Sequence, residues 1–378
     1  MRIEFGELKI GEKAKQNLLH VIETNWASGG PKVKKFEEEW GKLFEYKHSV
    51  AMSSGTDADI NACAALYDFG AQRGDEIILP ALSFIATANA VLAAGFKPVF
   101  VDIEKHTLNI NPGKIEKSIT PKTKAIIVVH TMGKPCKMDV ISNLAKKHNL
   151  IVIEDSCEAH GAKYKGKFIG HWGDMAAFSF YAAHLICSGE GGMVSTNSER
   201  IANILKSTRS HGREGLYFDH IRFGLNSKMN DLEASLGLEG VGQFWETFNK
   251  RKENLYYLLN KLKDLENFAW FNLEEEGEIV SPHAFSITLK DPKYNYKALY
   301  QYLENNSIMC KRNFGSIPTQ HKAFAFLGHK LGEFPEAEYV GDNGLHFGIH
   351  QYLSKDDLDY ISITIHNYFE NEIWKKNQ

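Results

Sequence analysis

Between residues 49 and 200 the sequence repeats one pattern: a short apolar run, a turn, then a helical stretch. "SVAMSS" leads into a helix from Thr56, and "DEIILP" precedes a helix beginning near Phe84. "KPVFVDI" and "KAIIVVH" each precede another helix, and "LIVIED", "MAAFSFY" and "GGMVST" follow. Continuous apolar runs bounded by turns predict strands buried on both faces, hence a mostly parallel sheet covered by helices. The expected architecture is a three-layer α/β core, in which ligands bind beyond the carboxyl ends of the strands. After about residue 240 the texture changes. "FWETFNKRKENLYYLLNKLKDL" has the spacing of a long amphipathic helix. "HAFSITLKD", a helix, "IMCKRNFG" and a C-terminal helix then predict a smaller α+β unit. The expected division is 1–245 for the large domain, including an N-terminal arm, and 246–378 for the small one.

The 378 residues suffice for about two domains. Lys and Arg number 44 against 47 Asp and Glu, a net charge of -3, which argues against a nucleic-acid surface. No apolar stretch reaches the roughly 20 residues that span a bilayer, and "MRIEFGELKIGEKAK" lacks the pattern of a signal peptide. The expected setting is cytoplasmic. Cys63, Cys136, Cys157, Cys187 and Cys310 form no CxxC pair, and the 16 histidines show no HExxH spacing, so no metal site is expected.

Four motifs sit where strands end. "SSGTDA" passes from a strand through Gly55 into a helix, where backbone N–H groups and the Thr56 hydroxyl suit a phosphate. "LIVIEDSCEAHGA" closes an apolar strand on Asp155, a carboxylate that needs a cationic partner if buried. "FSFYAAHLICSGEGG" carries Ser179 and His184, and "FGLNSKMNDLEASLGL" places Asn226 before a helix. Neither GxxxxGK[ST] nor GxGxxG is present, so nucleotide-phosphate loops lose support.

In order and spacing these motifs resemble the sugar-nucleotide aminotransferases, enzymes of the aspartate aminotransferase fold (fold type I) that use pyridoxal 5'-phosphate. The resemblance runs from "WASGGPKVKKFEEEW" to "GIHQYLSKDDLDYI". It implies that Gly55, Thr56 and Ser179 cradle the cofactor phosphate, that Phe84 stacks on the pyridine ring and that Asp155 pairs with the ring nitrogen. It also implies that Glu158 faces the cofactor and that Asn226 reaches the phosphate of a neighbouring subunit, giving a homodimer with shared active sites. Ser28, Gly29 and Gly30 resemble the substrate-side loop. Arg312 and His350 are candidate substrate contacts, with His211 and Arg213 as further candidates for the substrate diphosphate.

One position departs from that pattern. Aminotransferases of the family carry a lysine, the cofactor's covalent anchor, where this chain has His184; the flanking "SFY" and "GEGG" fix the register. The change resembles the family's 3-dehydratase branch, and Glu158, where aminotransferases have Gln, agrees with it. An imidazole cannot anchor the cofactor but suits proton transfer near neutral pH. The resemblance therefore implies loss of the 3-hydroxyl from a nucleotide-linked 4-keto-6-deoxyhexose. His184 is the acid/base, pyridoxamine 5'-phosphate the working cofactor form and L-glutamate the amino donor. With no closely spaced cysteines after the Gly-rich turn, the chain resembles the dehydratases that lack an iron–sulfur cluster. Two alternatives stay open: an aminotransferase whose lysine has been replaced at 184, and a non-catalytic sugar-nucleotide-binding protein.

Overall fold

The computed structural model describes residues 2–215 and 218–376. Seven strands form the main sheet: β1 His48–Met52, β2 Glu76–Pro80, β3 Lys97–Val101, β4 Thr123–Val129, β5 Ile151–Asp155, β6 Met175–Ser179 and β7 Gly192–Thr196. Their order is β1-β7-β6-β5-β4-β2-β3. The five strands from β6 to β3 run parallel, and β7 is antiparallel to both its neighbours. Each strand lies on one of the apolar runs, because both faces are covered. Ile77, Leu79, Ile127 and Ile153 pack into one apolar cluster, while their chain neighbours Ile78, Ile126, Val128 and Val152 pack into another on the opposite face. At roughly 1.5–3 kcal/mol for each fully buried aliphatic side chain, these two faces supply much of the drive for the layered fold.

The helix expected from Phe84 begins at Ala86 instead. This leaves Phe84 in the preceding turn with its ring 60% exposed.

The amphipathic helix Phe244–Lys261 joins two cores. Phe244 and Phe248 pack with Phe36 and Trp40, whereas Leu255 and Leu258 pack with the C-terminal segment. That segment holds an antiparallel sheet of β8 Ala269–Phe271, β9 Ala284–Leu289, β10 Cys310–Arg312 and β11 Gly344–Gly348, ordered β8-β9-β11-β10. Leu299 and Leu303 of one helix and Leu358, Ile361 and Ile365 of another cover it. Chain segments cross between the cores in both directions. Ile3 bridges Ile308 and packs in the C-terminal core, while Ile317, Phe324 and Val340 pack into the core of the main sheet. Such crossings hold β9–β11 over the ends of the parallel strands. Among the described residues, no helix is long and apolar enough to cross a membrane.

Candidate active site

A cavity of about 490 Å³ opens at the carboxyl ends of the parallel strands. From the main sheet it receives Val129 at the end of β4, Asp155 at the end of β5 and Ser179 at the end of β6, with Gly55 and Thr56 from the helix after β1. The antiparallel sheet contributes His283, Lys311, Arg312 and His346, and the N-terminal arm contributes Phe5.

At one end is a cradle for an anion. Ser54 caps the helix Gly55–Ala64 by accepting a hydrogen bond from Asp57 N, leaving Gly55 and Thr56 on the cavity wall. The first turn of a helix carries N–H groups without intrahelical partners and a partial positive charge. The wall is tight. A Cβ on Gly55 would lie 2.6 Å from the Ser179 Cβ and 3.0 Å from its hydroxyl. Only glycine lets helix and hydroxyl close on the same small volume. Hydroxyls from Thr56 and Ser179 beside a helix N-terminus form a donor set suited to a phosphate.

Deeper in the cavity Asp155 is buried. Its Oδ2 accepts a hydrogen bond from Thr87 Oγ1 at 2.7 Å, and its Oδ1 accepts one from Cys157 N at 3.3 Å. Burial nevertheless pushes this carboxyl above its ordinary range, with the two hydrogen bonds opposing the shift. The negative charge is thus held by donors but, among the described residues, has no ion-pair partner, which a protonated pyridine nitrogen would supply. Phe84, from the turn before Ala86, presents its ring to the same space, edge-on to Phe314 at 6.2 Å. Anion cradle, aromatic face and buried carboxylate together fit a phosphorylated pyridine cofactor.

His184 lines the cavity from the loop after β6. Its Nδ1 is buried without a hydrogen-bond partner among the described residues. Burial, then the charges of Arg251 and Lys311, push its imidazole down to about 3, so the ring is a neutral base across the physiological range. The loop is held from behind by Arg251, which donates to the carbonyl oxygens of Ala183 at 3.1 Å and His184 at 3.3 Å. The His283 ring lies 5.1 Å from that of His184, and its Nε2 is 3.5 Å from Glu158 Oε1. Glu158 accepts a hydrogen bond from Met132 N at 2.6 Å, and burial pushes its carboxyl up to about 7.

The cavity therefore collects Gly55, Thr56, Phe84, Asp155, Glu158, Ser179, His184 and Arg312. Arg312 is partly committed already, because its Nη2 donates to Asp342 at 3.0 Å. The other expected residues lie outside. Ser28, Gly29 and Gly30 precede the helix Pro31–Phe44, where Gly30 N donates to Asp231 at 2.8 Å; the segment is tied to Asp231, away from the cavity. His350 follows β11 outside the cavity: its backbone oxygen accepts from Asn254 at 3.0 Å, and His346, four residues earlier, takes the place in the wall. Asn226 is exposed, bridges Ser210 and accepts from Lys228, and lines no part of this chain's own cavity. His211 and Arg213 also lie outside, beside the hairpin that pairs Arg213 with His220.

Sequence reading missed Thr87, Asp59, His283, Lys311 and His346, all of which line the cavity. Thr87 and Asp59 sit inside helices, one turn beyond residues that were singled out. Lys311 and His346 come from strands of the C-terminal sheet, and His283 from the residue just before β9. A polar residue within an otherwise apolar strand run, as in "SPHAFSITL", was the available signal.

Comparison with known proteins agrees with this geometry. Residues 8–366 match the model of the DegT/DnrJ/EryC1/StrS aminotransferase family. The dTDP-4-dehydro-2,6-dideoxy-D-glucose 3-dehydratase of Saccharopolyspora spinosa is 30% identical, over 91% of this chain and 81% of its own. A GDP-perosamine synthase of Escherichia coli O157:H7 is 31% identical over 96% of both chains. Among solved structures, Helicobacter pylori PseC, an aminotransferase of pseudoaminic acid biosynthesis, superposes with a TM-score of 0.90 at 26% identity, covering 98% of this chain and 100% of that one. The chain belongs to this family, has its type I fold, and takes pyridoxal or pyridoxamine 5'-phosphate as cofactor.

Proposed function

We propose that this member of the DegT/DnrJ/EryC1/StrS family is a dehydratase that removes the 3-hydroxyl of a nucleotide-linked 4-keto-6-deoxyhexose, giving a 4-keto-3,6-dideoxy sugar. The observation that carries the reading is His184, a neutral imidazole in the cavity wall at the position of the family's anchoring lysine. A relative named as a sugar-nucleotide 3-dehydratase, similar over most of both chains, supports it.

Gly55, Thr56 and Ser179 hold the phosphate, Phe84 covers the ring face, and Asp155 keeps the ring nitrogen protonated. When bound, the amine form of the cofactor supplies a nucleophilic amine for the 4-keto carbon and a ring that accepts and returns electrons. His184 takes the proton from the carbon that bears this amine. Now cationic, and disfavoured as a cation by burial, Arg251 and Lys311, it would give that proton to the 3-hydroxyl, which would leave as water. Base and acid are then one residue. The amine form of the cofactor would supply both the electrons for the deoxygenation and the nitrogen released as ammonia, and would be left as the aldehyde, so L-glutamate would have to restore its amino group. Glu158, with a carboxyl near 7, faces the same space as a further proton-holding group.

A homodimer completes this reading: Asn226, outside its own cavity, reaches the phosphate of the partner subunit. A second reading, transamination at carbon 4, draws support from relatives named as aminotransferases and from Lys311, the one lysine lining the cavity among the described residues. The two separate in one experiment. The full chain is loaded with pyridoxamine 5'-phosphate and given GDP-, CDP- and dTDP-4-keto-6-deoxyhexoses, with products followed by mass. A sugar product lighter by one oxygen atom, abolished in His184→Asn, is the expected result. Accumulation of a 4-amino sugar by the unaltered chain overturns it.

A further inference from the structure

Besides Asp155 and Glu158, the cavity holds a buried carboxyl group, Asp59, for which the reaction above has no use. Asp59 projects from the helix Gly55–Ala64, is 1% exposed and lines the cavity beside Asp155. Ligand atoms of Asp59, Asp155 and Cys157 lie within 4.8 Å of one another. The surroundings of the two carboxyls differ. Asp155 receives the Thr87 hydroxyl and the Cys157 amide, both donors that favour a charged acceptor. Asp59 Oδ1 has no hydrogen-bond partner among the described residues.

We propose that Asp59 is the protonated partner of Asp155, so that the two carboxyls carry one negative charge between them and that charge sits on Asp155. Two like charges this close in a buried site cannot both be held, and the group with fewer donors keeps the proton. The titratable groups facing Asp59 agree. Cys63 on its own helix, buried, and Cys157 beyond β5, half-buried, are thiols both pushed well up by desolvation and hence neutral, and neither is a cation. His130, at the end of β4, accepts from Cys136 N through Nδ1 and turns Nε2 to Glu154 at 3.1 Å, so its ring bonds are spent elsewhere. Burial, followed by the charge of Asp155, moves the Asp59 carboxyl well above the ordinary carboxylate range.

Asp59 is thereby a positioning residue. It acts on the cofactor through Asp155, by keeping a single, localised charge opposite the ring nitrogen. This role rests on the assignment of Asp155 to that nitrogen; the protonation itself does not.

The test uses the full chain and the Asp59→Asn and Asp59→Leu variants, with and without pyridoxamine 5'-phosphate. Infrared difference spectra at pH 7 should show a protonated-carboxyl band that Asp59→Asn removes. Thermal stability without cofactor gives a second reading. A carboxyl raised above its unfolded value stabilises the fold below about pH 4, and that contribution is lost as pH rises through the folded value. The unaltered chain should therefore lose stability from pH 5 to 9 relative to Asp59→Asn. Asn, which mimics the protonated acid, should bind the cofactor within about threefold of the unaltered chain, and Leu, which sets an apolar group beside the charged Asp155, about tenfold more weakly. No difference in the band, and parallel stability profiles, overturn the proposal. Where band and profile behave as expected but Leu binds normally, the assignment of Asp155 fails and the shared proton stands.

Discussion

The Arg251 guanidinium donates to the backbone oxygen of His184 at 3.3 Å, to that of Ala183 at 3.1 Å and to Gln351 at 2.8 Å, from a site that is 2% exposed. Among the described residues it makes no salt bridge with a carboxylate. A buried cation bound mainly by carbonyl oxygens is costly, and burial lowers it to about 10. Its charge lies beside His184 and opposes protonation there. The same residue thus orients the loop and keeps its imidazole neutral.

Replacing Arg251 with Gln separates these effects. The imidazole of His184, followed by proton NMR as a function of pH, should titrate at higher pH in Arg251→Gln. The backbone oxygens left unpaired should cost about 1–3 kcal/mol each, read from urea denaturation. An unchanged His184 titration would show that desolvation alone sets its value.

The Thr87 hydroxyl makes the shortest hydrogen bond recorded for Asp155. Thr87→Val keeps the shape of the side chain and removes the donor. Bonds to charged groups contribute about 1.5–3 kcal/mol, so denaturant midpoints should shift by a corresponding amount at neutral pH. The shift should shrink in acid, where Asp155 is protonated in both states. A constant deficit across pH would mean that the contact with Ser83, 3.1 Å away, matters more.

How far these residues were legible in sequence follows from where the chain carries its information. The seven strands of the main sheet read well because both faces are buried, and a continuous apolar run has few other uses. Asp155 and Ser179 read well for a related reason, as each closes such a run at the ligand-binding edge. Thr87 did not, since a threonine one turn into a helix looks like any other small polar residue until Asp155 is placed beside it. His283, Lys311 and His346 depend on an antiparallel sheet built from distant segments, and nothing local reports that approach. His350 lies outside the cavity, next to Gln351, which accepts from Arg251.

The cradle makes a steric prediction. A methyl at position 55 would sit 2.6 Å from Ser179 Cβ and 3.1 Å from Cys157 Sγ, below or at the limit of contact. Gly55→Ala should therefore push the helix start away from Ser179. Overpacking of this kind costs about 1–3 kcal/mol, equivalent to roughly tenfold or more in cofactor affinity. Fluorescence titration with pyridoxamine 5'-phosphate measures the loss, and circular dichroism should show an unchanged fold. Normal affinity would move the phosphate away from this turn.

Three cavity histidines shape the acid side of the stability profile, His283 among them, held well below its ordinary value chiefly by burial. His184 and His346 are each lowered to about 3, mainly by burial, against an ordinary value near 6.5. Over that interval the unfolded chain binds more protons than the native one, so stability is full above about pH 6.5 and is lost progressively as pH falls towards 3. Glu158, raised to about 7, has the opposite slope between its ordinary value and 7. The comparison must therefore be made between variants. From pH 7 to pH 5, His184→Asn should lose less stability in urea than the unaltered chain. Equal losses would mean that His184 is solvated and titrates normally.

The last prediction restores the residue the family otherwise carries. In His184→Lys the amine enters a wall already facing Arg251 and Lys311, where burial and positive neighbours lower its proton affinity and leave a nucleophilic fraction at neutral pH. With pyridoxal 5'-phosphate this variant should give a borohydride-reducible adduct that mass spectrometry places on residue 184, whereas the unaltered chain should give none there. Dehydration should fall, because a flexible amine replaces a fixed imidazole whose acid–base contribution is typically about 10²–10⁴-fold. Labelling of Lys311 in the unaltered chain would be the contrary result. It would make β10, not the loop after β6, the source of the covalent anchor, and would favour transamination over water loss.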